Sequence, residues 1–333
     1  MPEQSALLFL VAMVLAIGFS MVNGATDAAN AIATVIGSRT LSPRNAIIMA
    51  TLLNFVGAAT GLEVARTIGK GIINPEIITY GIIIAALAAN IIWSMTALQY
   101  GLPTSETHGL VASLAGAALA TAGSQSVTWT VILRILLWVI ITPLLCFIAG
   151  FVVMVTIYWL FRRSQPERVR GIFNNLQIVS AGYMAYSHGL NDGQMPIGIM
   201  TIALALYTGQ ANLWDNIPFW VILVSAISIS LGTALGGWRV IQTLGAKVTT
   251  LRPVQGFAAE TSGAVIIQIA SLLGIPVSTS QGISAAIMGV GATKRLSAVR
   301  WGVAINILAA WILTFPVCGG LGYLFAWLLH LVL

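Results

Sequence analysis

The chain has 333 residues and a net charge of +6; 58% of its residues are hydrophobic, 7% are charged, and its mean hydropathy is +0.94. Because a soluble domain carries about 25% charged residues, this composition excludes a water-soluble globule, and it excludes a porin-like barrel, whose polar lumen would lower the hydropathy. We therefore expect an all-α polytopic membrane protein, with room for about a dozen spans at roughly 20 residues per crossing.

Hydrophobic stretches follow one another along the chain and predict the membrane segments. The first is not preceded by the basic residues of a signal peptide, because that region carries Glu3 and neither Lys nor Arg, so we expect a retained span. Several stretches are longer than one straight helix needs, and Gly, Pro or Asn interrupts others. The stretches lie at approximately 5–36, 45–65, 77–99, 103–122, 127–161, 173–208, 217–238, 253–273, 274–292 and 300–333.

Two landmarks of the first half recur in the second half. The segment 23–27 (NGATD) matches 188–192 (HGLND), and the segment 102–109 (LPTSETHG) matches 275–282 (IPVSTSQG). Two matches in the same order with nearly the same spacing indicate a duplication. We predict an N-terminal membrane repeat over 1–161, a basic linker over 162–172 and a C-terminal membrane repeat over 173–333.

The basic residues indicate the orientation of the repeats. If the loop 162–170 is cytoplasmic, twelve of the fifteen basic residues share its side, as the positive-inside rule expects. The three exceptions are Arg66 and Lys70, which fall outside, and Arg134, which lies within a span. Because most basic residues mark the cytoplasmic side, the net charge reflects topology rather than nucleic-acid binding. Five net crossings per half predict repeats of inverted topology, with broken helices and re-entrant hairpins meeting near the bilayer midplane, as in secondary transporters. Both termini are then predicted on the outer side of the cell membrane.

Asp27 and its counterpart Asp192 lie inside hydrophobic stretches. A carboxylate near the bilayer interior costs a few kcal/mol on insertion scales, so it indicates a function. We expect each Asp at a helix break, where unwound carbonyls, an Asp and an Asn form a Na⁺ site or a proton relay. Helix capping by each Asp is the structural alternative.

The Pro-x-Ser turns form a second pair. Pro103 and Pro276 are each expected in the first turn of a helix, where a missing N–H costs nothing. The free N–H groups and positive dipole end of such a helix favour an anion, so the two turns are expected to clamp a tetrahedral oxyanion. The hydroxyls in these first turns are those of Ser105, Thr107, Ser278, Thr279 and Ser280.

The other acids and histidines in the apolar stretches are expected to pair with neighbouring groups. Glu106 needs a proton or a cation beside an anion, and His108 or a bound Na⁺ is expected to provide it. His188 lies four residues before Asp192 and is expected to hydrogen-bond to it. Glu260 is expected to pair with Arg252 or Lys247.

The two signatures, 23–31 and 188–193, resemble the duplicated G-A-N-D-V-A-N-A motif of the PiT inorganic phosphate transporter family. The two turns resemble that family's P-x-S-T-T-H segments, so the likeness covers almost the whole chain. It implies a symporter of phosphate with Na⁺ or H⁺, and some relatives carry sulfate. The departures from the family pattern are Thr26, Glu106, Met195 and Gln281. Fewer amide ligands weaken the expectation of a full set of Na⁺ sites, and the added acid Glu106 favours proton coupling.

The predicted site follows from the motifs and the resemblance together. The expected phosphate-binding residues are Asp27, Ser105, Thr107, Asp192, Ser278, Thr279 and Ser280. The expected coupling-cation residues are Asp27, Asn30, Asn191, Asp192 and Glu106, of which Asp27, Asn30, Asn191 and Asp192 would hold Na⁺. The expected proton relay comprises His108 and His188.

We expect a secondary active transporter that imports phosphate by alternating access, with the anion bound between the repeats. A sulfate permease of the same fold is the alternative, although three acids that accept a hydrogen bond from phosphate favour phosphate. An intramembrane aspartyl protease and a channel are the other classes considered, and neither needs the duplicated Ser/Thr turns. We expect no enzyme activity, no cofactor and no nucleic acid, and we allow a homo-oligomer and a cytoplasmic regulatory partner.

Overall fold

The computed structural model describes residues 2–74, 77–249 and 251–331, and it confirms an all-α membrane protein. Among the described residues, the one β feature is an isolated bridge that joins Ile73 to Val127. The helices of the first half are α1 (Pro2–Gly37), α2 (Pro43–Ala58), α3 (Glu63–Gly71), α4 (Tyr80–Tyr100), α5 (Glu106–Ala122) and α6 (Trp129–Phe161). The helices of the second half are α7 (Pro166–Asp192), α8 (Gln194–Thr208), α9 (Phe219–Leu235), α10 (Trp238–Gln242), α11 (Pro253–Leu272), α12 (Thr279–Ala292) and α13 (Trp301–His330).

Four helices of the described chain are long and apolar enough to cross a membrane singly, namely α1, α4, α6 and α13. Two further spans consist of broken helices: α2 and α3 meet at 64°, and α9 meets the segment that runs from α10 to Lys247 at 62°. The two bends occupy equivalent places in the two halves, which confirms the expectation of repeats with broken helices. The helix α7 begins at Pro166, inside the predicted linker, and the division of the chain at 161 and 173 stays a prediction.

The two halves interlock rather than lie side by side. Helix α13 packs on the α4–α5 hairpin of the first half, and helix α6 packs on the α11–α12 hairpin of the second half. In the same way α9 packs on α1, and α2 packs on α7. Each repeat therefore completes its packing with elements of the other repeat, and the two signature helices come together at the centre.

Glycines of the two signatures permit this close packing. A Cβ at Gly24 would overlap the carbonyl oxygen of Ile229 on α9, and a Cβ at Gly189 would overlap that of Asn54 on α2. Backbones in such contact need a residue without a side chain, as at other small-residue helix crossings in membranes. Each crossing lies three residues before the aspartate of its signature.

The expected helix break at Asp27 is wrong, because α1 runs uninterrupted through it. Asp192 ends α7, and Gly193 keeps helical angles of φ −65° and ψ −21° before α8 begins. The signature glycines serve helix contact instead of unwinding the backbone. Site chemistry at these positions therefore rests on side chains.

Two apolar clusters enclose the polar centre. The cluster around Ala12–Phe19 of α1 includes parts of α3, α4, α5 and α8, and the cluster around Ala29–Val35 includes parts of α6, α7, α11 and α12. Buried polar residues of α1, from Ser20 to Asp27, lie between the two clusters. Apolar packing thus holds the polar residues away from the ends of α1.

Candidate functional site

The two signature aspartates converge on the start of α12. The hydroxyl of Ser280 donates to Oδ1 of Asp27 at 2.6 Å, and the hydroxyl of Thr279 donates to Oδ2 of Asp192 at 2.8 Å. Thr279 Oγ1 also lies 3.5 Å from Oδ2 of Asp27. All four side chains are buried, so residues distant in sequence form one closed polar centre.

His188 lies between the two carboxylates. Its Nε2 is 3.0 Å from Oδ2 of Asp192 and 4.0 Å from Oδ2 of Asp27. The expected contact with Asp192 is present, although the atoms are not aligned as a hydrogen bond. Its Nδ1 contacts Oδ1 of Asn54 at 2.7 Å.

The neighbours of Asn54 identify the tautomer of His188. The hydroxyl of Thr233 donates to the carbonyl of Ile229, so its oxygen accepts from Nδ2 of Asn54 at 2.7 Å. Oδ1 of Asn54 then faces His188 and requires a hydrogen on Nδ1. In this tautomer of a neutral ring Nε2 is an acceptor that faces the carboxylate oxygens, so the geometry leaves Nε2 free to bind a proton or a cation.

The same centre is rich in oxygen atoms. The nearest ligand atoms of Asp27, His188 and Asp192 lie within 4.8 Å of one another. Asn30 donates to Thr279 and Ser280 at 3.0 and 3.1 Å, while its Oδ1 is buried without a hydrogen-bond partner among the described residues. Carboxylate, hydroxyl and amide oxygens are the donors that a hard cation takes, so these residues fit a small cation as cargo.

The two turn serines cap helices. Ser105 accepts from the backbone N–H of His108, and Ser278 accepts from that of Gln281. Helices α5 and α12 therefore begin at residues 106 and 279, and the expectation that the prolines lie in the first helical turn is wrong. The capping hydroxyl satisfies the orphan N–H groups, so each proline precedes its helix.

The two turns meet, as expected for repeats of opposite topology. The hydroxyl of Thr107 donates to the carbonyl of Val277 at 3.1 Å, and Nδ2 of Asn191 donates to the same carbonyl at 2.7 Å. His108 and Gln281, which are equivalent positions of the duplicated turn, contact each other at 3.3 Å. Thr107 and Asn191 thus hold the second turn in place.

Glu106 occupies a neighbouring buried pocket. Its carboxylate accepts from Ser94 at 2.6 Å, from Thr26 at 3.1 Å and from Asn90 at 3.4 Å. No contact with His108 is among those that the described residues make. The expected pairing of these two residues is wrong, since positions two apart on a helix point to different sides.

Glu260 is a buried acid whose partners the sequence did not reveal. It accepts hydrogen bonds from Thr34, Ser180 and Gln177, which lie on α1 and α7. The expected pairing with Arg252 or Lys247 is wrong, because Glu260 lies about two turns inside α11 and its side chain is fully buried. Its hydrogen bonds join three helices.

Asn23 is a candidate site residue that the sequence analysis does not include. It lies four residues before Asp27 on the same side of α1 and is fully buried. Neither polar atom of its side chain has a hydrogen-bond partner among the described residues, although such atoms are normally paired. The spacing of Asn23, Asp27 and Asn30 along one helix face is the signal that predicts this group.

The chain is similar to known proteins along almost its whole length. A family model described as the phosphate transporter family matches residues 23–169 and again residues 162–322. A "probable low-affinity inorganic phosphate transporter" of Rhizobium meliloti is 42% identical over 90% of both chains, and one of Bacillus subtilis is 38% identical over 98% of both. A solved structure described as "the sodium-dependent phosphate transporter" superposes with a TM-score of 0.90 at 28% identity, covering 98% of this chain and 100% of the other.

Proposed function

The chain belongs to the phosphate transporter family, and on that premise we propose that it imports inorganic phosphate through a cell membrane in symport with a cation. In this proposal the anion binds at the centre formed by α1, α7 and α12. Access to it alternates between the two sides of the membrane as the interlocked repeats move relative to each other. The loop 162–170 lies in the cytoplasm, and both termini lie outside.

The observation that supports symport with a cation is that acidic side chains line the proposed site of an anion. Oxygen atoms of Asp27 and Asp192 lie within 4.8 Å, where two unit charges repel by about 3.5 kcal/mol at an effective dielectric constant near 20. No Lys or Arg contacts these carboxylates in the described part of the chain. A phosphate adds further negative charge, so it binds only with protons or cations that compensate it.

Phosphate fits such a site better than sulfate does. At neutral pH phosphate still carries at least one proton and donates a hydrogen bond, whereas sulfate carries none. Asp27 and Asp192 accept hydrogen bonds, and the hydroxyls of Thr279 and Ser280 both donate and accept. A donor on the ligand therefore offsets part of the repulsion that sulfate would meet in full.

Two groups support coupling to protons. Nε2 of His188 and Oδ2 of Asp192 lie 3.0 Å apart, and a shared proton turns this contact between two acceptors into an attraction. Thr26 has one hydroxyl hydrogen but three acceptors in reach, which are Glu106 and the carbonyls of Val22 and Asn23. If the hydroxyl donates to its own helix, a protonated Glu106 donates to Thr26.

Na⁺ is the second candidate ion. The side-chain oxygens of Asp27, Asn30 and Asp192 and the hydroxyl of Thr279 would hold it. The oxygen of Asn30 that lacks a partner favours this alternative, and so does the similarity to a solved transporter described as sodium-dependent. Asn191 already bonds Val277, so we assign it to positioning the turn.

The test is uptake of radiolabelled phosphate into proteoliposomes, driven separately by a Na⁺ gradient and by a pH gradient. We expect at least one gradient to drive uptake, and uptake independent of both would contradict symport. Asp27→Asn and Asp192→Asn are expected to abolish uptake, while the exposed Asp215→Asn is the matched control. Normal uptake by both site variants would refute the site, and equal competition by unlabelled sulfate would refute the preference for phosphate.

A further inference from the structure

A cavity of about 340 Å³ lies away from the carboxylate site. Its walls come from α3, from the first turns of α6, and from the connector between α11 and α12. Since α6 crosses the membrane and ends at the linker that we place in the cytoplasm, the start of α6 faces the opposite side. The charged residues that line the cavity are Glu63, Arg66, Lys70 and Arg134.

These three basic residues have no explanation in topology. The positive-inside rule accounts for twelve of the fifteen basic residues of the chain, and the three that it leaves are Arg66, Lys70 and Arg134. All three line this one cavity, although Arg134 belongs to a different helix from the other two. Arg134 is the one charged residue of α6.

The positive charge of the cavity is only partly compensated. Glu63 pairs with Arg66 at 2.7 Å on the surface, and Lys70 lies 5.7 Å above the ring of Trp214. Arg134 has no acidic partner among the residues that the structure describes. Among the described residues that line the cavity, three positive charges and one negative charge leave a net charge of +2, which suits a divalent anion.

The cavity ends at the turn that carries the phosphate-binding hydroxyls. Gly274 and Pro276 form part of its lining, and the hydroxyl of Thr67 on α3 donates to the carbonyl of Gly274 at 2.6 Å. Thr279, three residues after Pro276 along the chain, contacts Asp192. The side of the α11–α12 turn opposite to the carboxylate centre thus faces a basic cavity.

We propose that this cavity captures the phosphate dianion at the outer face before the anion reaches the carboxylate centre. The proposal rests on the phosphate transport proposed above and adds a separate binding step to it. Basic side chains in a cleft concentrate an anion and raise its association rate, and salt screens the effect. The acidic centre does not attract a dianion by itself, so the capture step supplies an attraction that the centre lacks.

The test compares two double variants with the same change of charge. Lys70→Gln/Arg134→Gln removes the two cavity cations that lack an acidic partner among the described residues, and Arg163→Gln/Arg168→Gln removes two arginines of the segment 162–170 that do not line the cavity. Initial phosphate uptake is measured in intact cells, which present only the outer face, at low and high ionic strength. We expect the cavity variant to raise the apparent KM roughly tenfold at low ionic strength, with Vmax unchanged and a smaller effect at high salt.

Each outcome decides between explanations. An unchanged KM in the cavity variant, or an equal rise in the loop variant, would overturn the capture site while phosphate transport stands. Absence of uptake by the unmodified protein would instead overturn the proposed function. If the double variant does not fold, Arg134→Lys should keep the KM and Arg134→Gln should raise it. The same KM comparison in vesicles of neutral lipid and of anionic lipid tests whether the cavity binds free phosphate or a lipid headgroup. An effect confined to anionic vesicles would refute capture of free phosphate.

Discussion

Replacement of Thr279 by valine tests the centre of the site with little change of shape. The hydroxyl of Thr279 donates to Asp192 at 2.8 Å and accepts from Asn30 at 3.0 Å. Valine keeps the volume and the branched Cβ but removes both hydrogen bonds. The variant therefore isolates the hydroxyl from the packing of α12.

The magnitude follows from these contacts. A hydrogen bond to a charged group contributes about 1.5–3 kcal/mol. Asp192 keeps a bond from Asn191, and Asn30 keeps its bond to Ser280, so neither partner is left entirely unpaired. Since about 1.4 kcal/mol corresponds to a factor of ten, we expect phosphate uptake at low phosphate concentration to fall roughly tenfold to a hundredfold.

The assay is the initial rate of phosphate uptake into proteoliposomes, normalised to the amount of folded protein. Thr201→Val is the matched control, because Thr201 is equally buried and its hydroxyl donates only to its own helix, to the carbonyl of Ile197 at 2.7 Å. Thr279→Ser should retain most of the uptake, since it keeps the hydroxyl. If Thr279→Val transports as fast as Thr201→Val, the hydroxyl has no part in binding and the assignment of this site is wrong.

Three further variants test other parts of the structure. Gly189→Val places a side chain against the carbonyl of Asn54 and should abolish the monodisperse peak in size-exclusion chromatography, whereas Gly171→Val, whose side chain meets open space, should not. Glu260→Val leaves the donors of Thr34 and Gln177 without their acceptor, at about 1–3 kcal/mol each, while Ser180 keeps the carbonyl of Gln177. The variant should lower the thermal denaturation midpoint more than Glu260→Gln does, and equal midpoints would show that the cluster does not stabilise the helices. Glu106→Gln cannot exchange a proton, so it should reduce uptake driven by a pH gradient more than uptake driven by Na⁺, and an unchanged ratio of the two rates would exclude Glu106 from proton coupling.

Much of the fold was readable from the sequence because composition and repetition are themselves physical constraints. Scarce charge and long apolar stretches leave helices as the structure that satisfies backbone groups in lipid. The two matched landmarks predicted a duplication, and the structure shows equivalent bends and equivalent hairpins in the two halves. The family resemblance rested on the same motifs and was confirmed.

Local backbone geometry at the motifs was predicted less well. Asp27 and Asp192 are expected at helix breaks, but Gly24 and Gly189 of the same signatures are sites of backbone contact between helices. One sequence cannot distinguish these two uses of glycine, since the partner helix lies far away in the chain. Pro103 and Pro276 are expected in the first helical turn, but Ser105 and Ser278 are the N-caps, so each helix begins after its proline.

By itself the sequence determined the helical membrane class, the duplication and the small set of polar residues that lie within apolar stretches, because each of these is a property of local composition and spacing. Only the tertiary structure decided which of them meet. Asp27, His188, Asp192 and Thr279 form one centre, Glu106 joins Thr26 beside it, and Glu260 bonds three donors instead of an arginine. The reason is that helix packing within and between the repeats determines the partners of buried polar groups, and the partners on different helices named here lie 80 or more positions apart.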